Sequence, residues 1–220
     1  MKKNAIIIGG TSGIGLETAR YFRDKDYDVL VCSRNSFANE SGIRFLKIDV
    51  SSESSIKQFF SSIPFKHIDS LIYSAGTSTN KKDICDFDVN EYQRVQGVNL
   101  LGAILTLKYA YPFLQKAKGK VVVVNSISSR TYSQLSGIEY TVTKAGLSGL
   151  VKQLAIEWAS DGVLINTVFP SMVETPLLLD NYSLSIIKSI EAKIPLGRIA
   201  KPNEIAPVIE FLVSDKNTYI

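Results

Sequence analysis

Six short apolar runs recur along this chain: AIII (5–8), DVLVC (28–32), IRFLKI (43–48), IDSLIYS (68–74), KVVVVN (120–125) and VLINTVF (163–169). Each has the length and β-branched content of a strand, with apolar residues at consecutive positions. Such strands show apolar side chains on both sides, so both faces of their sheet must be covered. The intervals hold helical candidates: GLETARYFRDK (15–25), SSESSIKQFFSSI (51–63), NEYQRVQGVNLLGAILTLKYAYPFLQKA (90–117), YTVTKAGLSGLVKQLAIEWAS (140–160) and PNEIAPVIEFLVS (202–214). Serines ahead of Glu53 resemble an N-terminal cap, and Pro202 suits a first helical turn. Strands separated by helices pair in parallel through right-handed crossovers. The expected fold is α/β, a single doubly wound domain over residues 1–220 with strand order 3-2-1-4-5-6 and helices on both faces.

Composition narrows the function classes. The chain has 220 residues, of which 45% are hydrophobic and 21% charged, as expected of a globular domain with one buried core. The formal net charge is +4, and the basic clusters MKK, NKK and QKAKGK are short and far apart. They read as solvated surface and argue against a nucleic-acid partner. Cys32 and Cys85 form no close pair, which points to a reduced, cytoplasmic protein. His67 is the sole histidine, so no metal site is expected. The apolar run after MKK ends at Gly9 and Gly10, too short for a signal peptide, and no run is long enough to span a membrane.

The first strand runs into GGTSGIG (9–15) and then a helix. Gly9, Gly13 and Gly15 allow a tight turn and a close approach to an anion, while Thr11, Ser12 and Ile14 complete the loop. The turn directs its N–H groups and the positive end of the helix toward a pyrophosphate. The glycine spacing differs from the common dinucleotide fingerprint and resembles the nucleotide turn of the short-chain dehydrogenase/reductase family, a Rossmann-type fold. The likeness extends over nearly the whole chain. Ile8 stands where the family usually has threonine. Asp49 and Val50 match its adenine-contacting pair. Ser74 replaces an asparagine ahead of Ala75 and Gly76, which allow close backbone approach to the cofactor.

The second strand ends in CSRN, where dehydrogenases that prefer NAD usually place an acid for the ribose 2′-hydroxyl. Here Ser33 and Arg34 occupy the site, and a guanidinium suits a 2′-phosphate through charge-assisted hydrogen bonds. NADP(H) is therefore the favoured cofactor, with NAD(H) as the alternative.

Tyr140 and Lys144 lie four positions apart at the start of a helix, and Tyr21 and Lys25 repeat that spacing. Context separates the two pairs. Tyr140 follows the fifth strand at the carboxyl edge of the sheet, where open parallel sheets bind ligands. Ser126 ends that strand, Asn99 sits inside a long helix where an amide is a poor helix former, and YTVTKAGL resembles the family's active-site run. The chemistry that the resemblance implies is hydride transfer between a ketone and a secondary alcohol. Lys144 would help acidify the Tyr140 phenol, since lowering a pKa by ~3 units takes roughly 4 kcal/mol of differential stabilisation. Ser126 would stabilise the developing oxyanion, with Ser128 as the alternative serine. Asn99 would anchor a water linking Lys144 to solvent.

VFPSMVETPLLL (168–179) resembles the family's segment over the nicotinamide, with Ser171 in place of glycine. Pro170, Val173 through its backbone and Thr175 through its hydroxyl would contact the cofactor. The segment 176–194 is rich in Leu and Ile and is expected either to lid an apolar part of the substrate or to close the core or a subunit contact. The family's final strand has no counterpart by Ile220, so the sheet is expected to lack it unless the chain continues. The expected activity is an NADP(H)-preferring reduction of a small carbonyl compound, with 3-oxoacyl-carrier-protein reductase the nearest activity by resemblance. The alternatives are an NAD-linked alcohol or sugar dehydrogenase and a non-catalytic dinucleotide sensor. An extended sugar-nucleotide epimerase is disfavoured, because this chain has no room for its second lobe. A homotetramer, or at least a dimer, is expected on the helices 88–118 and 140–160.

Overall fold

Alternate residues of the strands serve two different layers, and this organises the whole molecule. The structure is a computed structural model describing residues 2–38 and 40–220. The strands are β1 (Asn4–Ile8), β2 (Asp28–Ser33), β3 (Ile43–Lys47), β4 (Ser70–Tyr73), β5 (Lys120–Val124) and β6 (Leu164–Val168). They form one parallel sheet in the order β3-β2-β1-β4-β5-β6. The parallel pairing is what the alternation of strands and helices predicts, and the order is the one expected of the Rossmann-type fold that the resemblance implies.

The helices are α1 (Gly13–Asp24), α2 (Glu53–Ser62), α3 (Val89–Gln96), α4 (Gly102–Ala117), α5 (Ile138–Trp158), α6 (Pro176–Leu179), α7 (Leu184–Glu191) and α8 (Pro202–Val213). Ile6, Ile8, Leu30, Cys32, Val121 and Val123 pack with α2, α4 and α5 on one face of the sheet. Their neighbours Ala5, Ile7, Val29, Val31 and Val122 pack with Ala19 and Phe22 of α1 and Ile209 and Val213 of α8 on the other. Period-2 geometry thus turns each all-apolar run into two half-cores. Each fully buried aliphatic side chain contributes about 1.5–3 kcal/mol.

Ser52 caps α2, its hydroxyl accepting the Ser55 N–H, and Pro202 opens α8 as its sequence suggests. The long helix read over 88–118 is instead two helices joined by a π turn, Gly97–Leu101. The segment 176–194 folds as α6 and α7 around a third, smaller cluster of Leu178, Ile187 and Ile199, joined by Leu135, Met172, Tyr182 and Ile194. β3 and β6 are the two outer strands among the described residues, and the Asn166 amide of β6 donates to the Ile220 carbonyl, which brings the last residues beside that edge. No helix among the described residues is long and apolar enough to cross a membrane.

Candidate active site

The carboxyl ends of β1, β4, β5 and β6 open into a cavity of about 700 Å³. Gly9 sits on its floor with φ +77°, and a Cβ there would lie 2.6 Å from the Ala75 nitrogen. A Cβ on Gly15 would lie 2.1 Å from the Gly9 carbonyl oxygen. Only hydrogen side chains fit at these two points, which is why the turn can fold flat beneath a ligand. Ser12 occupies the N-cap of α1 but makes no side-chain capping bond. The helix therefore presents uncapped N–H groups at the cavity, a geometry suited to a phosphate. These residues fit an anionic dinucleotide.

Across the cavity stand Ser126, Tyr140 and Lys144. Tyr140 and Lys144 share a face of α5, with the Lys144 Nζ 5.7 Å from the phenol ring centroid. The Tyr21–Lys25 pair has nearly the same separation, 5.6 Å, so local geometry does not distinguish the two. Burial does. Lys144 is 5% exposed and donates to the Val124 carbonyl at 3.0 Å, whereas Lys25 lies in solvent. Burial alone pushes Lys144 down to about 8.

The Tyr140 phenol is raised from its ordinary value. Burial is the main cause, the adjacent Ser126 hydroxyl opposes it, and Tyr182 adds to it. The expected acidification by Lys144 is therefore not what the protein's own groups produce. The ammonium is taken up by a backbone carbonyl, and desolvation governs the phenol. Ser126 and Ser128 are both buried, with their hydroxyl oxygens 2.6 Å apart. Of the two, it is Ser126 whose hydroxyl acts on the Tyr140 phenol.

Asn99 is fully buried in the π turn. Its Oδ1 accepts the Thr77 N–H at 2.8 Å, and its Nδ2 donates to the Thr77 carbonyl at 2.9 Å and to Thr143 Oγ1 at 3.2 Å. The amide staples the segment after β4 to α5. π turns recur at functional sites because their extra residue re-aims a side chain.

Of the remaining candidates, Ser74 and Gly76 line the cavity, whereas Thr11, Ser33, Arg34, Asp49, Val50 and Ala75 are not among its lining residues. Thr11, Ser33, Asp49, Ser74 and Ala75 are half-buried, Val50 is buried, and Gly76, whose Cβ position is 3.8 Å from the Lys144 Nζ, is exposed. Ser33 donates to the Asn35 carbonyl. Arg34 is exposed and forms no ion pair among the described residues. Asp49 is held below its usual value, chiefly by its bond from Ser51, with the Arg34 charge also contributing. Ile14, Pro170, Val173 and Thr175 line the cavity, and the Thr175 hydroxyl donates to the Val173 carbonyl.

Two residues absent from the sequence reading complete the site. Thr143 receives the Asn99 amide and donates to the Glu139 carbonyl; its signal was its place beside Lys144 in YTVTK. Tyr182, the one aromatic of the roof segment, donates to the Leu135 carbonyl and so ties the roof to the wall.

A family model described as enoyl-(acyl carrier protein) reductase matches residues 9–220. Cis-4-hydroxycyclohexanecarboxylate dehydrogenase of Sinomonas cyclohexanicum is 29% identical over 98% of this chain and 91% of its own length. Among solved structures, ElxO with NADP bound is 30% identical, with a TM-score of 0.91, covering 100% of this chain and 94% of that one. The ligand-free aldohexose dehydrogenase of Thermoplasma acidophilum is 25% identical, with a TM-score of 0.92, covering 100% of this chain and 89% of that one.

Proposed function

Because the chain belongs to the classical short-chain dehydrogenase/reductase family of oxidoreductases, we propose that it interconverts a ketone and a secondary alcohol by hydride transfer, preferring NADP(H). The observation that carries the reading is the convergence of Ser126, Tyr140 and Lys144 on one cavity, opposite the glycine turn of α1. The glycine turn and the α1 N-terminus would hold the pyrophosphate, and Arg34 would pair with the 2′-phosphate. When bound, the nicotinamide supplies or accepts the hydride.

The protein's own residues manage the proton and the oxygen. Ser128 N–H donates to the Ser126 oxygen. When the Ser128 hydroxyl is the donor across their 2.6 Å contact, the Ser126 O–H is left free for a substrate carbonyl. As the carbonyl carbon is reduced, its oxygen gains negative charge, and a fixed hydroxyl stabilises that charge at no reorganisation cost. Tyr140 then gives its phenolic proton to the alkoxide. A phenol raised by burial stays protonated through neutrality, which suits reduction; the reverse oxidation needs the phenolate and so gains rate as pH rises. Lys144, still largely an ammonium near pH 7 and held by the Val124 carbonyl, would use its remaining donors on the nicotinamide ribose hydroxyls rather than to acidify the phenol. Asn99 fixes the Thr77 segment against α5, so that the two walls of the site keep their spacing.

The absence of an acid among Ser33, Arg34 and Asn35 supports NADP(H) over NAD(H). Two neighbouring structures, ElxO with NADP and a tyrosine-to-phenylalanine variant of ElxO with NADPH, support the same choice. Tyr140→Phe tests the chemistry. Turnover of a ketone panel with NADPH should fall by three orders of magnitude or more, while NADPH still binds. A near-native rate in that variant removes the proton-transfer role. Cofactor binding without turnover in the wild-type protein favours a sensor.

A further inference from the structure

The charged lining of the cavity has a single sign. Lys144 and Lys193 line it, and no aspartate or glutamate does among the described residues. Glu139, buried next to Tyr140 in the chain, is not part of the lining and accepts a hydrogen bond from the Thr79 hydroxyl. Lys144 is committed to the reacting end. Lys193 is not. It follows α7, is solvent-exposed, and forms no ion pair or side-chain hydrogen bond among the described residues. Gln134 lines the same cavity with its amide likewise unbonded among the described residues. The same cavity is lined by apolar residues, with Ile190 and Ile194 close to Lys193 in the chain and Leu178 and Met172 elsewhere in the lining.

The geometry points to a substrate that carries a carboxylate at the end away from its carbonyl, with Lys193 as its counter-charge and an apolar body between the two. This inference deepens the ketone-reduction reading and rests on it. A lone ammonium matches one negative charge, which favours a carboxylate over a doubly charged phosphate. No acid in the lining competes for Lys193, so the substrate's charge meets only attraction. The Gln134 amide is a further donor in the same lining. Because Lys193 is exposed, its selectivity is moderate and falls with added salt.

Matched carbonyl pairs test it. With saturating NADPH, kcat/KM is measured for 4-oxocyclohexanecarboxylate against its carboxamide and for 4-oxopentanoate against its carboxamide, in the wild type, Lys193→Gln and Lys193→Glu. The wild type should prefer each acid by roughly tenfold, mainly through KM. The preference should collapse toward unity in Lys193→Gln and invert in Lys193→Glu. Turnover of the amides without any preference for the acids sinks the carboxylate subsite and leaves the ketone reductase standing. An acid preference that survives in Lys193→Gln also sinks it. A raised Kd for NADPH in Lys193→Gln reassigns the lysine to the cofactor and overturns the proposal. No turnover of any member by an NADPH-binding wild type overturns both readings.

Discussion

Arg34 and Lys144 are cations in opposite circumstances. Lys144 is buried and bonded to a backbone carbonyl, and burial has lowered it to about 8. Arg34 is exposed at the end of β2 and has no hydrogen-bond or ion-pair partner among the described residues. Charge-assisted hydrogen bonds contribute about 1.5–3 kcal/mol. Arg34→Ala should therefore raise the KM for NADPH by roughly tenfold or more and leave that for NADH nearly unchanged, as steady-state kinetics with the two cofactors can check. Unchanged NADPH affinity would remove the phosphate clamp. The place of Arg34 was legible, because it depends only on counting to the end of an apolar run. The Tyr140–Lys144 neighbourhood was legible in spacing but not in electrostatics. The Val124 carbonyl that takes up the ammonium and the Tyr182 ring that adds to the phenol's shift come from other elements, and no local pattern announces them.

At the scale of elements, the strands could be read because doubly apolar runs have few other uses, whereas the π turn could not. One extra residue in a helix leaves the apolar rhythm on either side intact and changes only their relative phase. The glycines at 97 and 102 bound the turn; the second packs so closely that a Cβ would lie 2.7 Å from the Val50 carbonyl oxygen. Asn99 is what the widened turn delivers. Asn99→Ala would strip partners from the Thr77 N–H and carbonyl and from Thr143, at a cost of about 1–3 kcal/mol. Urea denaturation should show that loss. kcat should fall by more than the shifted folding equilibrium explains, because the segment after β4 loses its tie to α5. A variant that loses stability but keeps kcat would reduce Asn99 to a structural role. The helices α6 and α7 escaped a sequence reading for another reason: they are short, α6 a single turn and α7 about two, so neither offers a periodic run long enough to count.

On the scale of the whole molecule, α4 and α5 cover the same face of the sheet and still leave apolar side chains outside. Ile104 and Val142 are partly exposed, and Ile156 is 81% exposed. Scattered apolar residues are ordinary on a surface, but their presence on the two helices expected to carry a subunit contact makes that contact testable there. Light scattering should report a tetramer, or at least a dimer, and Ile156→Glu should shift it toward smaller species. A monomeric wild type would contradict this reading. The roof, by contrast, keeps its own small cluster of Leu178, Ile187 and Ile199, distinct from the two layers that sandwich the sheet. The half-cores of the sheet and the segment that lines the cavity are therefore different stretches of the chain. Substituting the exposed cavity-lining residues of 176–194 is accordingly expected to change which molecules turn over more than it shifts the melting temperature, as parallel kinetics and thermal denaturation can check.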